Sequence, residues 1–188
     1  MKSSCPMCGE ELVFRWRPDE IPYFGEIMHI SATCKCGFKH ADTLILGVQE
    51  PVRYELIVSS SEDLDTRVIR STSGTIRIPE LGIDVEPGPA SESFVTNIEG
   101  VLERIKDIVK MTRKWTEDDV KLKRIDEVLG TIEGAKSGDA QLTIIIEDPL
   151  GNSAILSERA THRSLTKEEI SKLKTGMVVL DVSKKGPT

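Results

Sequence analysis

Apolar and polar residues alternate along most of this chain, and a helical period takes over in one long central stretch. Near the start, Glu11–Trp16 and Ile27–Ala32 read as strands. In the second, Met28, Ile30 and Ala32 share one face, with Ile27, His29 and Ser31 on the other. Between them Arg17–Gly25, with Pro18 and Pro22, reads as a proline-bounded loop. Pro51–Val58 alternates cleanly. So do Arg67–Ser71 and Thr75–Ile78, which the pattern joins through Thr72-Ser73-Gly74 as an antiparallel hairpin. Glu86–Ser91 is a loop by composition.

The period then lengthens. Ile98, Val101, Leu102, Ile105, Ile108 and Val109 recur at three- and four-residue steps, which predicts a helix with one apolar face, opened by a capping box of Thr96 and Glu99. Thr116 with Asp119 opens a second helix carrying Val120, Ile125, Val128, Leu129 and Ile132, and Gly134 closes it. The short Thr112–Trp115 connection makes the two an antiparallel hairpin spanning about residues 96–134. Strands return at Gln141–Ile146 and Ala154–Leu156, around the turn Asp148–Ser153. A short helix opens at Thr166 with Glu169, and Met177–Val182 reads as a closing strand before a frayed tail, Ser183–Thr188.

The composition suits a soluble domain, with 38% apolar and 30% charged residues, but aromatics make up only 4%, so aliphatic side chains must build the core. The predicted class is α+β: a small four-cysteine zinc ribbon module over 1–45, then an antiparallel β domain over 46–188 with the helical hairpin inserted. A net charge of −6 argues against a nucleic-acid binder, which needs a cationic face. No apolar run is long enough to span a bilayer, and no apolar leader precedes Cys5; the expected compartment is the cytoplasm.

In a reducing compartment, paired cysteines at short spacing point to metal rather than disulfide. The chain has four cysteines: Cys5 and Cys8, followed by Gly9, and Cys34 and Cys36, followed by Gly37. Four thiolates close a tetrahedron around one zinc ion and leave no open position, so the expected site is structural. The second pair is one residue shorter than C-x-x-C, a more constrained bite; His40 or His29 stands as a substitute ligand if one sulfur cannot reach. An iron–sulfur cluster uses the same ligand set.

These motifs resemble a known family. Cys5-Pro6-Met7-Cys8-Gly9, Ile21–Glu26 and Cys34–Lys39 are similar to the opening of the ZPR-type zinc-finger family. Asp65–Ser71, Ile76–Leu81, Phe94–Gly100 and Asp148–Ser153 look like its downstream stretches, in order. The resemblance implies a zinc finger followed by a double-stranded β-helix-like, jelly-roll-related domain with a helical hairpin. It further implies a protein that binds a translation elongation factor 1A-like GTPase and assists its folding or maturation. The unit occurs once here, as in archaeal-type members, which leaves room for a homodimer.

On that reading Tyr23 and Phe24, on a loop near the metal, are candidate partner contacts or a cover for the module's small core. Asp148, Pro149, Gly151, Asn152 and Ser153 form a turn, or a partner-contacting loop if the resemblance holds. Asp63, Asp65, Arg67 and Arg70 read as solvated charges at a strand edge. The paired acids Asp118-Asp119 and Glu168-Glu169 fall at helix starts, and the three histidines have no nucleophile partner, so no enzyme is expected. The competing function is a nucleic-acid-associated zinc ribbon of transcription or translation, for which Arg15, Arg17, Lys35, Lys39 and His40 would supply a basic face.

Overall fold

The computed structural model describes residues 4–21, 25–47, 49–88 and 91–175, and it divides into two compact units, Met1–Gln49 and Glu50–Thr188. Tyr23, Phe24 and the strand expected at Met177–Val182 lie outside the described residues.

The first unit is one antiparallel sheet of β1 (Val13–Ile21), β2 (Gly25–Thr33) and β3 (Lys39–Ile45), in that order. β1 runs five residues further than the expected Glu11–Trp16 strand, straight through Pro18, with Pro18 opposite Met28. As an edge strand, β1 has N–H groups with no ladder partner, so a missing one costs it nothing. The mostly polar β3 escaped the sequence pattern because it is the other edge, with little to bury. Among the described residues, Cys5, Ile27 and Ala32 are the buried apolar side chains of this unit, a small core for 40-odd residues.

The second unit holds β4 (Val52–Val58), β5 (Arg67–Arg70), β6 (Thr75–Ile78), β7 (Ile83–Val85), β8 (Phe94–Asn97), α1 (Ile98–Lys114), α2 (Asp119–Ser137), β9 (Leu142–Asp148), β10 (Ala154–Leu156), β11 (Thr161–Ser164) and α3 (Lys167–Lys172). Its strands form two antiparallel sheets, β11-β4-β9-β6-β7 and β10-β5-β8. Leu56, Val58, Ile76, Ile78, Leu142, Ile144 and Ile146 of the larger sheet and Val68 and Ile155 of the smaller join one core. Ile98, Val101, Leu102 and Ile105 of α1 and Val128, Ile132 and Ala135 of α2 complete it.

β5 and β6 are not the hairpin that their alternation suggests. β5 pairs with β8 and β10, while β6 pairs with β7 and β9, so Ser71–Gly74 carries the chain from one sheet to the other. The crossing is set by hydroxyls. Ser71 Oγ and Ser73 Oγ both donate to the Asp148 carboxylate, at 2.6 and 2.7 Å, and this directs the chain toward β9 instead of back along β5.

The hairpin is displaced from its expected ends. Asn97, not Thr96, caps α1: its side-chain oxygen accepts from the Gly100 N–H at 2.9 Å. Asp118 caps α2 by accepting from the N–H groups of Val120 and Lys121. α2 continues past Gly134 to Ser137, where Gly138, at φ 85°, takes the left-handed conformation that ends it. Glu103 accepts from both Lys106 and Lys136, with Glu99 3.1 Å from Lys136 and Glu133 2.9 Å from Lys106, so the helices are laced by ions as well as apolar contacts. Thr166 and Glu169 form the expected capping box of α3.

Candidate metal centre

Two backbone knuckles present the four cysteines. In the first, the Gly9 N–H donates to the Cys5 carbonyl at 2.8 Å, and the Cys5 N–H donates to the Glu10 carbonyl at 2.7 Å. In the second, the Gly37 N–H donates to the Cys34 carbonyl at 3.0 Å, and the Cys34 N–H to the Phe38 carbonyl at 2.9 Å. The two differ by one residue. The C-x-x-C knuckle closes on the fourth residue along and the C-x-C knuckle on the third, so the shorter pair makes a tighter turn of the same kind. Gly9 and Gly37 sit at φ 75° and 96°, conformations that a side chain would strain.

The four Sγ atoms lie within 4.8 Å of one another, with Cys8 3.5 Å from Cys34 and Cys5 3.6 Å from Cys36. Tetrahedral zinc with bonds of about 2.3 Å needs sulfurs about 3.8 Å apart. The cage therefore fits one ion, and it is too tight for a cluster that interposes several atoms between its thiolates. The separations also exceed a disulfide's roughly 2.05 Å, and all four cysteines are free. Neither histidine is drawn in: His29 Nδ1 lies 3.1 Å from Thr43 Oγ1, and His40 is exposed on β3.

Without a cation, crowded thiolates repel one another and oppose joint ionisation. Burial opposes ionisation of Cys5, but the N–H groups of Met7 and Cys8 and the neighbouring thiols outweigh it and draw its pKa down to about 7. For Cys8 the Glu10 N–H favours the thiolate, yet crowding by Cys34, burial, and Cys36 and Cys5 push it up to about 12. The Cys5 thiolate is thus stabilised at the expense of Cys8, and a bound cation would relieve that competition.

Comparison with known proteins agrees with this geometry. The family model of the ZPR1 zinc-finger domain matches residues 1–44, and that of the ZPR1 jelly-roll domain matches residues 62–177. A ZPR1-like protein of Pyrococcus horikoshii is 48% identical over 185 residues, which cover 94% of this chain and 82% of that protein. The chain belongs to the ZPR1 family. A ZPR1-like protein of Methanocaldococcus jannaschii is 41% identical over 181 residues, covering 95% of this chain and 91% of its own. The zinc finger chaperone zpr1 of Schizosaccharomyces pombe is 29% identical over 160 residues, or 80% of this chain but 34% of that longer protein. ZPR1 proteins are zinc-finger proteins and not a known enzyme class, and the four gathered cysteines suit one structural zinc ion. Among the described residues, no helix is long and apolar enough to cross a membrane.

Within the ZPR1 jelly-roll domain, the Asp148–Ser153 loop faces inward. Asp148, Pro149, Asn152 and Ser153 are buried, and Leu150 and Gly151 are half-buried. Asp148 accepts from three serine hydroxyls (Ser71, Ser73 and Ser153) and from the N–H groups of Leu150 and Asn152. These bonds knot the ends of the two sheets together, and burial leaves little of Asp148, Pro149, Asn152 or Ser153 at the surface. The strand-edge charges are likewise only half solvated. Asp65 and Arg67 are exposed, but Asp63 is buried on the N–H groups of Ser59 and Ser60 and an ion pair with Arg159. Arg70 is buried too, donating to the Gly74 carbonyl, with its guanidinium 5.7 Å from the Phe94 ring centre.

Sequence reasoning missed the outer end of the helical hairpin. The fully buried positions of α1 stop at Lys106 and Val109 still packs partly against the core, in a 17-residue helix about 25 Å long, so its C-terminal end reaches past the core. There Ile108, Met111 and Trp115 are 52%, 47% and 77% exposed, and Val120 at the start of α2 is 79% exposed. By its period Ile108 belongs to the apolar stripe of α1, yet it lies beyond the part of the stripe that the core covers. The available signal was Trp115 itself, a large apolar residue in an otherwise charged turn.

Proposed function

We propose that Cys5, Cys8, Cys34 and Cys36 together hold one structural zinc ion, and that the protein is a non-enzymatic chaperone binding an elongation factor 1A-like translation GTPase during its folding or maturation. When bound, zinc supplies cross-links between two knuckles that the unit's small apolar core cannot replace. The chain's own part is to offer four thiolates at the tips of two glycine-closed turns, which stiffens residues 1–45 into a surface of fixed shape.

The observation that carries the client reading is the apolar end of the helical hairpin. Four large apolar side chains stand in water at one end of a helix pair, and exposed apolar patches of this kind are recognition surfaces for proteins. The chaperone named in fission yeast supports the same reading. A surface that a folding GTPase covers temporarily, and releases when nucleotide rearranges the client, would act by differential affinity for the client's two states. The reduced thiolates suit the cytoplasm, and Tyr23 and Phe24 are part of the proposed client contact.

The test is capture of a purified elongation factor 1A-like GTPase, refolding from denaturant and in its GDP and GTP forms. Wild-type protein is compared with a Trp115→Ser, Val120→Ser double variant. Binding of the refolding or GDP form, reduced at least tenfold in a variant of unchanged melting temperature, is the expected result. Absence of binding in every client state refutes the proposal, as does undiminished binding by the variant.

A further inference from the structure

The four sulfurs are unequally sheltered. Cys5 is 3% exposed and Cys34 is partly covered, whereas Cys8 and Cys36 are exposed. The two exposed sulfurs belong to different knuckles, and each faces a sheltered sulfur of the other knuckle: Cys8 lies 3.5 Å from Cys34, and Cys36 lies 3.6 Å from Cys5. Each cross-knuckle pair thus joins a more exposed cysteine to a less exposed one.

We propose that this centre is an oxidant-responsive switch, in which a peroxide converts the four thiolates into two disulfides across the knuckles, Cys8–Cys34 and Cys5–Cys36, and the metal is released. The proposal rests on the four-sulfur zinc site read above. In each pair the exposed thiolate attacks the peroxide: an S–O bond forms, the O–O bond breaks, and the departing oxygen leaves as water after taking up a proton. The sheltered thiolate then attacks the oxidised sulfur. The S–S bond forms as the S–O bond breaks, and the second oxygen also leaves as water. Two peroxides and four protons are consumed, four waters appear, and four sulfurs lose their negative charge, so nothing remains to hold a divalent cation.

Geometry selects the pairing. Each cross pair needs to close by about 1.5 Å to reach disulfide length. Of the two other pairings, a bond within each knuckle requires Cys34 and Cys36 to join across a single intervening residue, a small strained ring, and Cys5–Cys34 with Cys8–Cys36 would leave the more sheltered pair without an exposed thiolate to meet the peroxide. Cross-pairing has a structural consequence as well. The two knuckles stay tied together after the metal has gone, and a thiol reductant restores the original site.

Zinc-loaded full-length protein is treated with a few equivalents of hydrogen peroxide. The expected results are one zinc released per chain to a chromogenic chelator, and a loss of about 4 Da in intact mass, one hydrogen per sulfur. Both changes are reversed by dithiothreitol with added zinc. Trypsin tells cross-knuckle from within-knuckle pairing, because Lys35 separates Cys34 from Cys36 while Cys5 and Cys8 stay on one peptide, residues 3–15, and fragmentation of the linked species between Cys5 and Cys8 tells the two cross pairings apart. Under non-reducing conditions that peptide is expected bound to both the Cys34 and the Cys36 peptides. A sulfenic-acid trap added with the peroxide is expected to label Cys8 and Cys36 and to spare Cys5. A Cys5–Cys8 disulfide on an isolated 3–15 peptide overturns the proposal, as does oxidation to sulfinic acids without disulfide, or zinc retained at peroxide levels that oxidise a free-thiol control. Absence of zinc in the untreated protein is a different outcome, refuting the metal reading itself.

Discussion

Replacing Asp148 by alanine is expected to be among the most damaging single changes in the second unit. The carboxylate is fully buried and accepts five hydrogen bonds: from the hydroxyls of Ser71 (2.6 Å), Ser73 (2.7 Å) and Ser153 (2.6 Å), and the N–H groups of Leu150 (2.8 Å) and Asn152 (3.1 Å). A hydrogen bond to a charged group contributes about 1.5–3 kcal/mol, so five taken separately would suggest roughly 7–15 kcal/mol. That sum is too large, because the hydroxyls can partly satisfy one another; Ser71 and Ser73 already stand 3.0 Å apart. Removing one partner from a buried charged contact costs about 3–5 kcal/mol, and that is the range expected here. Arg70 adds to the loss. Burial lowers its pKa, the Asp148 charge works the other way, and without Asp148 the guanidinium keeps its burial but not its anion. For a domain of this size the fall in melting temperature is about 3 °C per kcal/mol, or some 10–15 °C in all. Urea and thermal unfolding followed by circular dichroism measure it, with exposed Glu158→Ala as a control expected within about 0.5 kcal/mol of wild type. An Asp148→Ala cost below about 1 kcal/mol would refute the argument that this carboxylate ties the sheets together.

Three further outcomes follow from the same structure. Gly74→Ala places a methyl carbon 2.7 Å from Ser153 Oγ and 3.1 Å from Arg70 Cγ, so it is expected to destabilise the second unit by about 1–3 kcal/mol in the same unfolding assay. Chelation of the metal is expected to abolish hydrogen-exchange protection in β1, β2 and β3 while β4 and β9 keep theirs, because Leu56, Ile144 and Ile146 belong to a core of their own. Hydrogen bonds from Lys106 and then Lys136 lower the Glu103 carboxyl from 4.5 to about 2. A depressed carboxyl stabilises the fold above its unfolded pKa and loses that contribution as pH falls through the folded value. Glu103→Gln should therefore be less stable than wild type near neutrality, with the gap closing between about pH 4.5 and pH 2 in a pH series of urea titrations.

Much of this protein was legible from residue order because the responsible interactions are local. The cysteine turns need only glycine after a short chelating run, and Gly9 and Gly37 take up left-handed conformations as that requires. The α1 stripe from Ile98 to Ile105 buries as its period demands, and Thr166 with Glu169 caps α3 by contacts three residues apart. The helix ends shifted by a residue or more because several polar residues competed for each cap. Asn97 reaches the Gly100 N–H, and Asp118 outdoes Thr116 by satisfying two N–H groups at once.

What the sequence by itself determined was a four-thiolate module, a β-rich domain and a helix pair, since periodicity and chelate spacing are properties of neighbours along the chain. Only the tertiary structure decided that β5 and β6 belong to different sheets, that Asp148 is an internal knot, and that the hairpin outruns its core to leave Trp115 in water. Each of these turns on residues dozens of positions apart, Ser71 with Asp148 among them. Alternation records that a strand has two faces, but its partner is chosen by distant side chains competing for the same buried donors and acceptors.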